Sequence, residues 1–380
     1  MLSDLLRDKN WLKCKKRKTI WYPRGENTLR AVDIFSGCGG ITLGLHEACA
    51  AYDLKLKMVM ACDMFPAAEQ SYRDNFRPSE FLNKPIQTYI DGEINAPKTE
   101  NEERLVKKLK KIDIVVGGPP CQGNSNLNNH TRGDDPRNEL YMRMIRFVEL
   151  FQPKIVLIEN VRGVSNNKQR VVPRANEHLR RFGYSVSHGV VRGHEIGIPQ
   201  TRTRHFTVAV RMKRANISFD QFSKPTVDTP RTLGWAIRDL QKLEPPSESI
   251  FYRTPSPGPV NQARMDYFIG TDEYNLPNRE RPPCQQGDHT YPAVYGRMRW
   301  DEPAPTLTTG FGCNGRGRFT HPDGGRVLTP HEAARVQTFP DYYDFTMIEK
   351  RTDLHHLIGN AVPPLMAKHI LEKLIKICYH

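Results

Sequence analysis

The chain has no apolar run approaching the roughly 18–20 residues that a membrane span needs. Its opening stretch, "MLSDLLRDKNWLKCKKRK", has no apolar core followed by small residues, which excludes a secretory signal. Its eight cysteines (14, 38, 49, 62, 121, 284, 313, 378) include no C-x-x-C pair and no dense spacing. That argues against a disulfide framework or a zinc site and for free thiols in a reducing cytoplasm. Cys284 and His289 are two isolated candidates for a metal, too few for a site. Internal repeats and low-complexity tracts are absent. So is the full G-x-G-x-x-G of dinucleotide binders, which counts against NAD.

What is present begins with length and charge. At 380 residues and 38% hydrophobic, the chain can bury a sizeable core, divided between two domains. The net charge of +14 is unevenly placed. Residues 1–30 carry nine basic and three acidic side chains, 31–161 carry 16 and 18, 162–214 carry 12 and 2, and 215–380 carry 19 and 19. The segment 162–214 thus supplies most of the excess. A basic face of this density suits a phosphate backbone; the competing reading is a solvated surface.

Along the chain, "RAVDIF" (30–35) reads as a short strand ended by "SGCGG", and "ITLGLHEACAAY" has helical spacing. "KMVMACD" (57–63) reads as a second strand and "PAAEQSYRDNF" as a helix opened by Pro66. "IDIVVGG" (112–118) and "KIVLIEN" (154–160) are near-continuous β-branched runs, suited to strands covered on both faces. "ELYMRMIRFVELF" (139–151) is helical between them, and "RHFTVAVRM" (204–212) is a last strand. This alternation predicts an α/β fold with a doubly wound, mostly parallel sheet whose functional edge lies at the strands' carboxyl ends. From Lys213 to Pro322 the chain holds 14 of its 29 prolines, the texture of a smaller, loop-rich domain. Regularity returns at "TPHEAARVQTF" (329–339) and "PPLMAKHILEKLIKI" (363–377).

Four places carry chemistry. Gly37, Gly39 and Gly40 follow the first strand and let backbone approach a ligand. With Asp63 at the end of the second strand, where an acid can bind a ribose hydroxyl, they suggest an adenosine-containing cofactor; a plain turn is the alternative. Cys121 follows Gly117-Gly118-Pro119-Pro120 and precedes a polar loop, "NSNLNNHTRGDDPRN" (124–138). The prolines hold its thiol in one orientation, a setting a merely buried cysteine does not require. Glu159 ends an apolar strand, where a carboxylate either holds a proton near neutral pH or caps the next segment. Arg202 and Arg204, two apart, share one face if extended, for carbonyl or phosphate oxygens or for a surface salt bridge.

In order, "DIFSGCGG", "GGPPCQGNS", "ENV" (159–161), "QTRTR" (200–204), "RVLTPHEAARVQTFPD" (326–341) and "IGNAVPP" (358–364) resemble the motifs of the DNA cytosine-5 methyltransferases of bacterial restriction–modification type. The resemblance is collinear from Arg30 to the last helix and broken mainly at 213–296. It implies a class I methyltransferase fold, S-adenosylmethionine as methyl donor, no metal, and cytosine C5 in double-stranded DNA as acceptor. It also implies a cytoplasmic monomer, with a cognate restriction endonuclease acting separately on the same site. The domains it implies are a basic extension at 1–29, a catalytic and cofactor domain at 30–212, a target-recognition region at 213–322 and C-terminal motifs at 323–380.

The same resemblance implies the roles of individual residues. Cys121 is the nucleophile that adds to C6, Glu159 the acid at N3, and Arg202 or Arg204 the holder of the base carbonyl. Phe35, Gly37, Cys38, Gly39, Gly40, Asp63, Met64, Glu93, Ile94, Pro120, Leu140, Asn360 and Ala361 fall on cofactor-contacting positions. Asp63 replaces the family's more usual Glu, Met64 stands where an aromatic is common, and "GEI" (92–94) replaces Asp-Ile. Ser125 and Thr306 are the implied DNA contacts, with "PTLTTGFG" (305–312) anchoring on the backbone and 124–138 closing over a flipped base. The leader at 1–29 is either a DNA-contacting arm or a solvated tail. An amino-methyltransferase would place an aromatic where "GPPCQ" has cysteine. A tRNA cytosine-5 methyltransferase and a noncatalytic DNA-binding regulator are the remaining alternatives.

Overall fold

The computed structural model describes residues 2–16, 27–120, 139–166, 169–212, 217–242, 244–287 and 293–380. Cys121, Ser125, the loop 124–138 and His289 lie outside the described residues. The strands are β1 (Thr28–Ile34), β2 (Lys55–Cys62), β3 (Phe81–Leu82), β4 (Ile114–Gly117), β5 (Ile155–Val161), β6 (Ser185–Arg192) and β7 (Thr203–Val210). The helices are α1 (Leu2–Leu12), α2 (Gly40–Ala50), α3 (Pro66–Phe76), α4 (Glu100–Leu109), α5 (Glu139–Phe151) and α6 (Val171–Arg181), then α7 (Asp220–Ser223), α8 (Leu233–Ile237), α9 (Pro259–Asp266), α10 (Pro330–Val336), α11 (Arg351–Asn360) and α12 (Pro364–Tyr379).

The described strands form one seven-stranded sheet in the order β3-β2-β1-β4-β5-β7-β6. Pairing is parallel from β3 to β5, and β7 runs antiparallel to both β5 and β6. The β-branched runs predicted as two-sided strands are so: Ile114–Val116 and Ile155–Ile158 are fully buried. Each such side chain contributes about 1.5–3 kcal/mol on leaving water. From β1 the chain builds outward to β2 on one side and returns to β4 on the other, so the switch in strand order lies between β1 and β4. In open α/β sheets the ligand crevice forms at that switch, outside the carboxyl ends. The two glycine-bearing segments, 36–40 and 117–120, leave β1 and β4 at that edge.

The chain divides into two compact units. The sheet unit comprises 17–192, 203–225 and 362–380; the second unit comprises 1–16, 193–202 and 226–361. In the sheet unit, α12 packs on α2. In the second unit the secondary structure is short helices and turns, ordered by buried side chains such as Phe268, Phe311, Phe339 and Phe345. The leader is no solvated tail over its described part: α1 is packed in this unit, with Trp11 and Leu12 buried.

Candidate active site

The cofactor-type loop is shaped by its backbone. Phe35, Gly37 and Gly39 have φ of +62°, +50° and +80°. A Cβ at Gly39 would lie 2.3 Å from the Phe76 ring, so this position requires glycine for space as well as conformation. Gly37 N–H donates to Asp63 Oδ2 at 2.8 Å, and Phe65 N–H donates to Asp63 Oδ1 at 2.9 Å. Asp63 therefore ties the turn after β1 to the turn after β2. Met64 beside it is 67% exposed. Cys38 and Gly40 are buried, and burial pushes the Cys38 thiol far up, which makes it inert.

Beneath this loop lies a group that the sequence reading passed over. Asp33 is buried inside β1, its Oδ2 accepting the Thr42 hydroxyl at 2.6 Å, and Thr42 Oγ1 lies 2.7 Å from the Tyr72 hydroxyl. Burial, with a smaller contribution from the Asp63 charge, pushes its carboxyl up to about 7 against the Thr42 hydrogen bond. The available signal was an acid in the middle of "RAVDIF".

A second loop, 91–99, is held by buried charge. Glu102 accepts Gly92 N–H at 3.0 Å and Arg146 through both Nε (3.0 Å) and Nη2 (2.7 Å). Arg146 Nη1 also donates to the Ala96 carbonyl (3.0 Å) and Glu149 (2.9 Å). Arg143 donates to the Gly92 carbonyl at 2.7 Å and pairs with Glu93 at 3.0 Å. Glu93 is thus exposed and oriented, while Ile94 and Leu140 pack against the main core.

At the carboxyl ends of β4 and β5 the acid and its partners meet. Glu159 Oε1 lies 2.9 Å from Arg204 Nε, both largely buried. Arg204 stands on β7 opposite Val161, two residues along from Glu159, so the antiparallel register turns both side chains to one face. A Cβ on Gly118 would stand 3.1 Å from Glu159 Oε2, so the glycine leaves that carboxylate its space. Asn160 Nδ2 donates to the Pro119 carbonyl at 3.2 Å. The approach to Cys121, through half-buried Pro120, is therefore fixed against the acid strand.

In the second unit, Arg202 is buried and donates to the carbonyls of Leu307 (2.8 Å) and Gly359 (3.3 Å). Gln200 accepts Leu307 N–H at 2.9 Å and donates to Gln337 at 3.0 Å. Gln337 in turn donates to the carbonyls of Ile358 (2.6 Å) and Ala361 (3.2 Å). "QTRTR", "PTLTTGFG", "ARVQ" and "IGNAV" are thereby joined. Thr306 is half-buried beside Leu307, and Asn360 is exposed, 3.1 Å from His356 through its amide. No group of three or more metal-ligating side chains occurs among the described residues.

A family model described as C-5 cytosine-specific DNA methylase matches residues 29–376. The chain is 42% identical to the type II methyltransferase M1.BsuMI of Bacillus subtilis over 375 residues, covering 97% of this chain and 86% of that protein. It is 31% identical to M1.HphI of Haemophilus parahaemolyticus, over 92% of this chain and 87% of that one. Among solved structures, a DNA modification methyltransferase encoded within an E. coli prophage superposes with a TM-score of 0.68 at 24% identity, covering 93% of this chain and all of that one. The Dnmt2 methyltransferase of S. pombe gives 0.60 at 16%, covering 93% of this chain and all of that one. These likenesses establish the class I S-adenosylmethionine-dependent methyltransferase fold. With the sheet, the glycine turn and the collinear motifs, the match over nearly the whole length makes this chain a member of the C-5 cytosine-specific DNA methylase family.

Proposed function

We propose that the protein methylates C5 of a cytosine flipped out of a specific DNA duplex, through a covalent bond between Cys121 and C6. The observation that carries this reading is the Glu159–Arg204 pair packed against the Gly118–Pro119 approach to Cys121. C5 of cytosine is a weak nucleophile. Addition of the Cys121 thiolate to C6 makes C5 enamine-like, while Glu159, holding a proton or a hydrogen bond at N3, draws charge from the ring. Arg204 neutralises the carboxylate that burial would otherwise penalise and holds it in place. Arg204 is also the better placed of the two arginines to meet the base carbonyl, since Arg202 spends its guanidinium on backbone. Once C5 has taken the methyl group, loss of the C5 proton and breaking of the Cys121–C6 bond, with the thiolate leaving, release 5-methylcytosine. The atom is unreachable inside a duplex, so the base must be extruded before the thiolate can attack.

The residues present suit S-adenosylmethionine: a turn with two glycines at positive φ, the carboxylate of Asp63 beside it and an exposed Met64. When bound, this group supplies an electrophilic methyl. Phe35, Gly37, Cys38, Gly39, Gly40, Asp63, Met64, Glu93, Ile94, Pro120, Leu140, Asn360 and Ala361 would hold it, and Ser125 and Thr306 would meet the DNA. The type II names of the relatives support a protective role beside a restriction endonuclease of the same specificity.

The test is incubation with labelled S-adenosylmethionine and defined duplexes, followed by mapping of 5-methylcytosine. Transfer to tRNA and to no duplex would sink the DNA reading. Cys121→Ser should abolish turnover and any covalent trapping on 5-fluorocytosine duplexes; an adduct formed by that variant would remove Cys121 as nucleophile.

A further inference from the structure

The family match begins at residue 29, so α1 lies outside it, yet α1 is built into the second unit. Trp11 and Leu12 are 8% and 0% exposed. Asp8 pairs with Arg231 Nη2 at 2.8 Å. The Lys9 ammonium donates to the Trp235 carbonyl, reaches that of Ala236 at 3.5 Å and pairs with Asp239 at 2.8 Å. It therefore sits at the carboxyl end of α8, where the last carbonyls favour a cation, beside Arg335, whose Nη1 donates to the same Ala236 carbonyl at 3.2 Å. The Leu12 carbonyl accepts Asp341 N–H at 2.9 Å. A lysine kept for solubility leaves its head in water; the Lys9 side chain is 18% exposed.

The other end of α8 is equally engaged. Leu233 N–H donates to the Glu302 carbonyl at 2.7 Å and Gly234 N–H to the Trp300 carbonyl at 2.9 Å. Two residues on, the Ala304 carbonyl accepts Thr201 N–H at 2.8 Å, and Leu307 N–H is held by Gln200. Polar contacts thus run from α1 to α8 and from α8 to the backbone of Trp300 and Glu302, four residues before Thr306, while Thr201 and Gln200 hold the backbone on either side of Thr306.

We propose that α1 is a positioning element for DNA binding: Lys9, and Asp8 through the Arg231 guanidinium stacked on Trp235, fix α8 and, through it, the backbone of 300–302 that leads to Thr306 and presents it to a phosphate. This rests on Thr306 contacting DNA, as read above. Neither residue touches the substrate; both act through α8.

Lys9→Met and Asp8→Asn, made in the full chain, test it against the duplex that the wild type methylates. Wild-type transfer to a duplex is established first, so failure of the DNA reading is seen separately. Expected are rises of about tenfold in Kd and KM for DNA, the size of one weakened hydrogen bond to phosphate. kcat, the affinity for S-adenosylmethionine and the slope of log Kd against log salt stay unchanged, and Lys9→Arg restores binding. Unaltered DNA affinity in both variants overturns the proposal. So does a salt slope reduced by about one in Lys9→Met, which would make Lys9 itself a phosphate contact. Joint loss of cofactor and DNA binding in both variants overturns it as well, by reducing α1 to a general stabiliser.

Discussion

Two arginines separated by a single residue have different partners, and the difference lies in register rather than in residue type. Arg204 is inside β7 and pairs with Glu159, while Arg202 precedes the strand and is spent on two carbonyls. The dipeptide spacing suggested one shared face, and nothing in "QTRTR" marks where the strand starts. Glu159→Gln should lower kcat by roughly 10²–10⁴, the range for a lost acid–base group, with DNA binding retained. Single-turnover methylation measures this. Arg202→Met should instead lower stability, because two carbonyls lose their donor at about 1–3 kcal/mol each. Its urea midpoint should fall while Glu159 keeps its Arg204 partner. Asp33 went unremarked in the sequence, since its partners Thr42 and Tyr72 are brought to it only by folding.

Helices with clean periodicity were legible to the residue: α3 begins at Pro66 and α5 runs Glu139–Phe151, as their patterns predict. The helix α4 was not singled out, although Thr99 and Glu102 form a capping box that the sequence displays. The leader helix α1 was hidden by its neighbours, because "LSDLLRDKNWL" carries two basic and two acidic side chains and runs straight into the basic "KCKKRK", so the whole leader reads as a basic extension until its apolar residues are given something to pack on. Burial of Arg146 against Glu102, 44 residues apart, could not be read from either local pattern. Arg146→Met should cost about 3–5 kcal/mol by leaving Glu102 uncompensated. The double variant with Glu102→Gln should recover part of that loss in chemical denaturation. In the first turn, Gly39→Ala should cost more than about 2 kcal/mol, combining a positive φ with contact against Phe76.

For the whole molecule, the alternation of strands and helices predicted the sheet, and the comparisons bear out its class. The antiparallel return of β7 and β6 was not legible, because strand direction depends on the connection and not on the apolar run. Stability should depend on pH through buried histidines. Burial pushes His205, His355 and His369 down to about 4. Their unfolded forms bind protons below about 6.5, so they contribute stability above that pH that is lost as pH falls toward 4. Asp33 has the opposite sign: its raised carboxyl favours the folded state at low pH and costs stability as pH rises through about 7. With His188 and His321 lowered as well, the histidines outnumber Asp33, and the urea midpoint should drop between pH 7 and pH 5. Asp33→Asn should steepen that drop by removing the opposing group.

The packing of α12 on α2 also sets a schedule. Residues 40–50 leave the ribosome long before 364–379, and at about 5–20 residues per second the interval is on the order of tens of seconds. Throughout it the side of α2 that α12 covers has no partner from its own chain. Each nascent molecule therefore passes through a long stage open to chaperone capture or aggregation before α12 is available to dock.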